Sequence, residues 1–185
     1  MGTSHLILGE TSDFITGKTL TDTHDERARQ SIARFLVQHK GYEKAEIHPR
    51  LHLSVEIEGR TGAVPVDFVL KPADRFFMLM LFRPGSIVSR RRTAVAAARI
   101  FAGSSIPYAA VTNAEDAEII QTSSGKVVGT GLDAIFSRSD AVSILRGLDP
   151  APPLEGERLE KEKRILFAME VLSQKECDDY KCSYT

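Results

Sequence analysis

The sequence has few cysteines and no surplus of charge of either sign. Its two cysteines, Cys177 and Cys182, lie near the C-terminus with no partner pair elsewhere, so we expect free thiols rather than a disulfide or a metal site. The 24 Lys and Arg residues balance 25 Asp and Glu residues, which leaves a net charge of −1. Any contact with nucleic acid or an acidic membrane would therefore need a local patch.

Long apolar runs are also absent. The longest, Phe76 to Phe82, is far too short to span a bilayer core of about 30 Å. The first 19 residues lack a basic segment followed by a long apolar stretch, as a secretory signal would have. We therefore expect a soluble, cytoplasmic protein that makes no contact with a membrane. Hydrophobic residues at 42% and charged residues at 26% are ordinary for one globular domain.

Two amphipathic patterns begin the regular structure. Thr23 and Glu26 have the spacing of a capping box, in which the Thr hydroxyl accepts from a helix N–H and the Glu reaches back. Apolar residues then recur at helical spacing up to Gly41, which predicts a helix that starts near His24. Residues 47–57 alternate between apolar and polar side chains, and this period of two predicts a half-buried strand.

The third predicted strand differs in character from the second. Residues 64–70 alternate after a loop at residues 58–62, whereas residues 76–82 are all apolar and should lie centrally, covered on both sides. The pattern then predicts a helix over 87–102, a strand over 108–112 parallel to its predecessor, a hairpin over 117–128 and a helix over 139–145. The order α-β-β-β-α-β with an added hairpin is an α/β fold whose mixed sheet is flanked by helices.

Proline separates the C-terminal end from the rest of the chain. Residues 149–155 contain three prolines, which remove donors and favour extended neighbours, so we predict a linker. It would join a domain of residues 1–148 to a C-terminal helix and tail of residues 156–185. Apolar side chains lie on roughly one face of that helix. The helix either folds back on the domain or pairs with a second copy of the chain as a homodimer.

Several strings resemble a known family in their order and spacing. They are Glu26-Arg27-Ala28-Arg29-Gln30, Lys40-Gly41-Tyr42, Pro65-Val66-Asp67-Phe68-Val69, residues 106–113 and residues 131–137. Together they resemble the N-terminal nuclease domain of type I restriction enzyme R subunits and its stand-alone relatives, which are PD-(D/E)xK nucleases. The resemblance covers residues 21–148 and implies a restriction-endonuclease-like core with the element order given above.

The resemblance implies metal-assisted hydrolysis of a phosphodiester. In the motif, an Asp and a Glu on adjacent strands hold a divalent cation, and a Lys two residues after the Glu polarises the attacking water or the phosphate. Asp67 takes the Asp position. Arg83-Pro84 matches the family's exit from this strand, which places Met80 at the Glu position and Phe82 at the Lys position. A thioether has no affinity for Mg²⁺ and a phenyl ring carries no charge, so we expect a hydrophobic cluster, no metal and no cofactor.

Other acidic residues leave one alternative route to a metal site. In the simplest hairpin register, Ser54 lies opposite Asp67 and Glu56 is a diagonal step away on the same face. Asp67, Glu56 and Glu26 would then form a rearranged catalytic site that uses Mg²⁺, with Asp67 as the first ligand. Otherwise Glu26 serves in the capping box, and Asp67 is a polar residue on a half-exposed strand.

Arginines follow the degenerate motif. Arg83 and the run Arg90-Arg91-Arg92 lie just past it, where a phosphate backbone would approach, so they are candidate nucleic-acid-binding residues. The alternative for the run is a solvated helix start.

The sequence leaves three functional hypotheses: a catalytically inactive nuclease-like protein that binds DNA or acts in assembly, an active metal-dependent DNA endonuclease with the rearranged site, or an oligomeric interaction scaffold.

Overall fold

The apolar strand Met78–Phe82 lies inside a six-stranded sheet, with every one of its residues buried. The structure, a computed structural model, describes residues 7–103, 105–149 and 151–171. Its strands are β1 Gly9–Ser12, β2 Thr19–Asp22, β3 Ile47–Ile57, β4 Arg60–Leu70, β5 Met78–Phe82, β6 Tyr108–Thr112, β7 Ala117–Gln121 and β8 Val127–Thr130. Its helices are α1 His24–Gln38, α2 Arg91–Ile100, α3 Arg138–Arg146 and α4 Gly156–Leu166, which continues as a π-helical turn over Phe167–Val171.

The large sheet follows the chain, in the order β3-β4-β5-β6-β7-β8. Strands β5 and β6 are parallel because α2 forms the crossover between them, and all other neighbours in this sheet are antiparallel. The predicted α/β class with a mixed sheet flanked by helices is confirmed. The hairpin of β1 and β2 was not predicted and forms a separate two-stranded sheet.

Side chains of alternate strand positions enter two cores, one on each face of the sheet. On one face, α1 and α3 cover Phe68, Met78, Met80, Phe82 and Ile119. On the other face, α2 and α4 cover a second set: Val55, Val64, Val66, Leu79, Leu81 and Val111. Burial on both faces explains why β5 contains no polar residue, since neither side of the strand meets water.

The hairpin between β3 and β4 is tighter than the sequence predicted. Glu58 and Gly59 form a two-residue turn with positive φ angles of 50° and 72°, and Ile57 pairs with Arg60. Ser54 therefore pairs with Ala63, and the predicted register, with Ser54 opposite Asp67, is wrong. The reason is local, because residues 60–62 belong to the strand rather than to a loop.

The C-terminal segment folds back on the sheet. Leu166 and Phe167, buried with 0% and 6% exposure, belong to the same core as α2 and β3–β6. Val171 packs so closely on Gly62 that a Cβ there would lie 2.3 Å from a Val171 methyl carbon. Of the two alternatives left open for this helix, the described part takes the intramolecular one, while Cys177 and Cys182 lie outside the described residues. Within the described ranges, no helix is long and apolar enough to cross a membrane.

Candidate functional site

Asp67 lies in β4 at the point where this strand separates from the end of β5. The ladder between the two strands stops at Phe68 and Met80. Asp67 has no ladder partner on β5. Its carboxylate accepts three hydrogen bonds: from Arg29 Nε at 2.7 Å, from the backbone N–H of Phe82 at 2.8 Å and from Arg83 Nη1 at 3.0 Å. Both carboxylate oxygens are thus bonded to donors, and two of the three donors carry positive charge.

The two residues predicted at the Glu and Lys positions of the motif are buried and apolar. Met80 is 0% exposed and Phe82 is 3% exposed, and both face the core that α1 covers. The guanidinium of Arg29 lies over the Phe82 ring, 5.1 Å from its centre. Arg29 therefore contacts both the motif aspartate and the ring at the Lys position, through charge in one case and a cation–π contact in the other.

Helix α1 presents Glu26 and Gln30 to the interior, and both are buried. The Thr23 hydroxyl accepts from the backbone N–H of Glu26 at 3.1 Å, which is one of the two bonds of the predicted capping box. The Glu26 carboxylate, however, accepts from Gln30 Nε2 at 2.7 Å and from Arg50 in β3. Arg50 also pairs with Asp13, which is 3% exposed, so the helix start is tied to both β3 and the N-terminal hairpin.

These contacts join into one ion-pair chain in which acids and arginines alternate. Its members, in order, are Asp13, Arg50, Glu26, Arg29, Asp67, Arg83, Glu170 and Arg90. The weakest link is Arg29 to Glu26, at 4.0 Å. Four acids and four arginines balance, so each buried carboxylate has a cation beside it without any metal. Throughout the described ranges, no group of three or more His, Cys, Asp or Glu residues is placed to hold a metal ion.

Arg50 takes an unusual backbone conformation to enter this chain. Its φ is +53°, the left-handed region that a non-glycine residue seldom adopts. By the register of the hairpin it faces Asp67 across the strand pair, although the two are not ladder partners. The irregular backbone turns the Arg50 side chain toward Asp13 and Glu26, and their ion pairs offset the backbone strain.

Glu56 does not join the other two predicted acids. It is exposed and pairs with Thr61 at the turn end of the hairpin. Thr61 and Asp67 are six residues apart on β4, so Glu56 lies roughly 20 Å from Asp67 at a rise of about 3.3 Å per residue. The structure brings Asp67 and Glu26 into one ion-pair chain, through Arg29, and leaves Glu56 outside it.

Each of the four candidate nucleic-acid-binding arginines has an acidic partner. Arg83 lies 3.0 Å and Arg90 3.4 Å from Glu170, Arg92 lies 2.5 Å from Glu162, and Arg91 pairs with Glu118. The side chains of Arg90, Arg91 and Arg92 remain 34–42% exposed, whereas that of Arg83 is 14% exposed. The run of arginines is therefore neither free in solvent nor buried.

Stability should fall in acid because of Asp13. Burial would raise the pKa of its carboxyl, but the backbone N–H of Thr16 and the Arg50 guanidinium lower it from 3.8 to about 2. A pKa lowered by folding stabilises the fold above the unfolded value and loses that effect as the pH falls toward 2. We expect Asp13 to contribute about 2 kcal/mol at pH 7, lost between about pH 4 and pH 2.

Urea unfolding at a series of pH values checks this expectation, with Asp13→Asn as the control. The amide keeps the shape of the side chain but does not titrate, so the difference between the two proteins isolates Asp13 from other carboxyls with lowered pKa values. That difference should shrink toward zero as the pH falls. A difference that stays constant from pH 5 to pH 2 would show that Asp13 does not supply the acid sensitivity.

Several members of the ion-pair chain were not predicted as part of a site. They are Asp13, Arg29, Arg50 and Glu170, and Gln30, which donates to Asp13 and Glu26 beside the chain, was not predicted either. The E-x-x-R-Q string held a usable signal, because residues four apart on a helix share a face and Glu26 and Gln30 therefore had to point the same way. No local pattern marked Asp13, Arg50 or Glu170, since their ion-pair partners are 24 or more residues away in sequence.

Comparisons with known proteins give one match. A family model described as "Type I restriction enzyme R protein N terminus (HSDR_N)" matches residues 24–135, which is more than half of the chain. The match runs from the start of α1 to the loop after β8, and it includes Glu26, Arg29, Asp67, Met80 and Phe82. No curated protein and no solved structure matches.

Proposed function

The chain belongs to the family of type I restriction enzyme R protein N-terminal domains, and on that premise we propose that it is a nuclease-like module without catalytic activity. In this proposal the domain serves restriction-modification by binding nucleic acid or by assembling with other subunits. The family gives the expected chemistry, a metal-dependent attack on a phosphodiester. The residues at the motif positions then decide whether that chemistry is available.

One observation carries the proposal: the Asp67 carboxylate is bonded to Arg29, Arg83 and the Phe82 N–H. A divalent cation at Asp67 would have to displace two guanidinium groups, which are fixed positive charges that repel it. It would also lack a second carboxylate, because a buried thioether stands at the Glu position. Arg29 thus neutralises the charge of Asp67, as a metal ion would in the motif, but a guanidinium group does not activate water.

Binding of nucleic acid is supported by the arginines near the end of β5 and in α2. Arg90, Arg91 and Arg92 keep a third or more of each side chain in solvent. Guanidinium groups on a partly exposed surface can bind phosphate oxygens in pairs. The module would therefore keep the substrate class of its family while lacking the cleavage step.

We expect the wild-type protein to leave DNA intact in the presence of Mg²⁺ or Mn²⁺. Plasmid and labelled single-stranded DNA should be unchanged after prolonged incubation, because neither the metal site nor the Lys position can activate water. The matched control is Asp67→Asn, which keeps the size of the side chain. Cleavage that requires metal and disappears in this variant would establish the alternative, an active endonuclease with a rearranged site that includes Asp67.

Binding should depend on the arginine run and on salt. Changing Arg90, Arg91 and Arg92 to alanine should weaken binding to labelled duplex DNA and should lower the slope of log K against log salt by about 1 for each phosphate that the protein no longer neutralises. Fluorescence anisotropy from 50 to 300 mM salt measures both. Absence of salt-dependent binding by the wild type would favour a role in assembly. Analytical sedimentation would then show whether the chain forms a homodimer.

A further inference from the structure

Two carboxylates of the C-terminal segment each lie between two arginines. Glu162 in α4 contacts Arg92 at 2.5 Å and Arg99 at 2.8 Å, both from α2. In the π-helical turn, Glu170 contacts Arg83 at 3.0 Å and Arg90 at 3.4 Å. A phosphodiester group can bind two arginines as these carboxylates do, since its two free oxygens accept hydrogen bonds from paired guanidiniums.

Positive charge exceeds negative charge at these contacts. Four guanidiniums meet two carboxylates of the segment, and Asp67 is a third carboxylate beside Arg83, so four positive charges face three negative charges. Glu162 and Glu170 are eight residues apart, about 12 Å along an ideal helix. The four arginines Arg83, Arg90, Arg92 and Arg99, which we call the arginine surface, therefore offer two anion positions in a row, as a nucleic-acid backbone would require.

The helix that holds the two acids is fixed to the domain by apolar contacts. Leu166 and Phe167 lie between Glu162 and Glu170 and are buried in the core beside α2. Displacing the whole segment would expose both side chains to water. Glu162 and Glu170 are themselves buried, with 4% and 8% exposure, whereas the side chains of their partners Arg92 and Arg90 are 42% and 34% exposed. An anion in solvent therefore competes by binding these arginines as they turn away from the carboxylates, which leaves the apolar contacts intact.

We propose that the arginine surface binds the phosphate backbone of nucleic acid and that Glu162 and Glu170 compete with the phosphates for its arginines. The inference rests on the proposed function, because it names the surface through which the module would bind nucleic acid and the two carboxylates that limit the affinity of that surface. The wild-type protein would bind weakly, and a nucleic acid would bind by replacing one or both carboxylates. Arg99 is part of this surface although it lies outside the predicted arginine run.

The test compares two variants that change net charge by the same amount. Glu162→Gln with Glu170→Gln removes both competing charges while it keeps the side-chain length. Glu155→Gln with Glu157→Gln is the control, since these acids are exposed at the start of the same helix. Labelled duplex DNA and duplex RNA of one sequence are titrated at several salt concentrations. Thermal unfolding and circular dichroism verify that each variant is folded.

We expect the first variant to bind about tenfold more tightly than the wild type, with a steeper salt dependence, and the control to bind much less than tenfold more tightly. In an Arg92→Ala, Arg99→Ala background, the increase in affinity from Glu162→Gln should disappear. Equal increases in both variants would overturn the inference, because only net charge would matter. So would wild-type binding that the first variant does not change, although the proposed function would stand. If no protein binds either duplex, the inference fails together with the nucleic-acid-binding part of the proposed function, and only the assembly role remains.

Discussion

Replacing Asp67 with alanine should lower the free energy of unfolding by about 3 kcal/mol or more. The carboxylate is 5% exposed and balances Arg29 and Arg83. Its removal takes the nearer anion from Arg29, which keeps only Glu26 at 4.0 Å, and one of two anions from Arg83, which keeps Glu170 at 3.0 Å. It also leaves the buried backbone N–H of Phe82 without its acceptor. Urea unfolding at neutral pH measures this effect, which is one of stability because Asp67 holds β4, β5 and α1 together.

A second aspartate supplies the control for this experiment. The side chain of Asp74 is 92% exposed and pairs with Lys71 on the surface, so Asp74→Ala should lower the free energy of unfolding far less than Asp67→Ala does. A destabilisation at Asp67 as small as that at Asp74 would mean that the ion pairs of Asp67 add little. In that case the site would be open enough for a cation to approach, and catalytic inactivity would no longer follow from the ion pairs.

Placing a glutamate at position 80, the predicted Glu position of the motif, should lower the free energy of unfolding even more. Met80→Glu introduces a carboxyl at a site with 0% exposure, facing the core beside Phe68 and Phe82. The described surroundings offer it apolar side chains, and Asp67 nearby is already bonded to its own donors. We expect a destabilisation of more than about 4 kcal/mol, which would leave much of the protein unfolded.

The matched control at this position is Met80→Leu. It keeps nearly the same volume without charge and should cost less than about 1.5 kcal/mol. Chemical unfolding of both variants separates the effect of charge from that of shape. A combined Met80→Glu, Phe82→Lys variant that folds normally and cleaves DNA with Mg²⁺ would contradict this expectation, because it would show that the metal pocket is intact and lacks only its ligands.

The ion-pair chain explains how the fold keeps a buried aspartate at position 67. An isolated carboxylate at Asp67 would be costly to bury. Arg29 and Arg83 neutralise it, and Glu26 and Glu170 in turn balance those arginines. In the proposed inactive module, the positive charges that allow Asp67 to be buried are the same charges that would repel a metal ion.

Most of the secondary structure could be predicted because it depends on local periodicity. The strand Ile47–Ile57 and the helix starting at His24 begin as their patterns predicted, and β6 has the predicted bounds. The hairpin of β1 and β2 was missed, since its two four-residue strands are short and polar and carry little pattern. The family resemblance, drawn from short strings in order, is confirmed by the family match.

The site was harder to predict because its contacts join distant parts of the chain. Arg29 and Asp67 are 38 residues apart, and Arg83 and Glu170 are 87 apart. The predicted partnership of Asp67 with Glu56 depended on a hairpin register, and a turn of two residues instead of five moved Glu56 to the far end. A change of register relocates every side chain along the strand, so a small local error removed a whole candidate site.

By itself, the sequence determined the family and the α/β order of elements, and it predicted the loss of the motif, because Met80 and Phe82 differ in kind from Glu and Lys wherever they lie. Only the tertiary structure decided what Asp67 does. Its charge is offset by Arg29 from α1 and Arg83 after β5, which meet at this point only because the sheet and helix bring them there. Residue type limits the chemistry that is possible, whereas the distances between charges, which folding alone sets, decide which interaction a carboxylate makes.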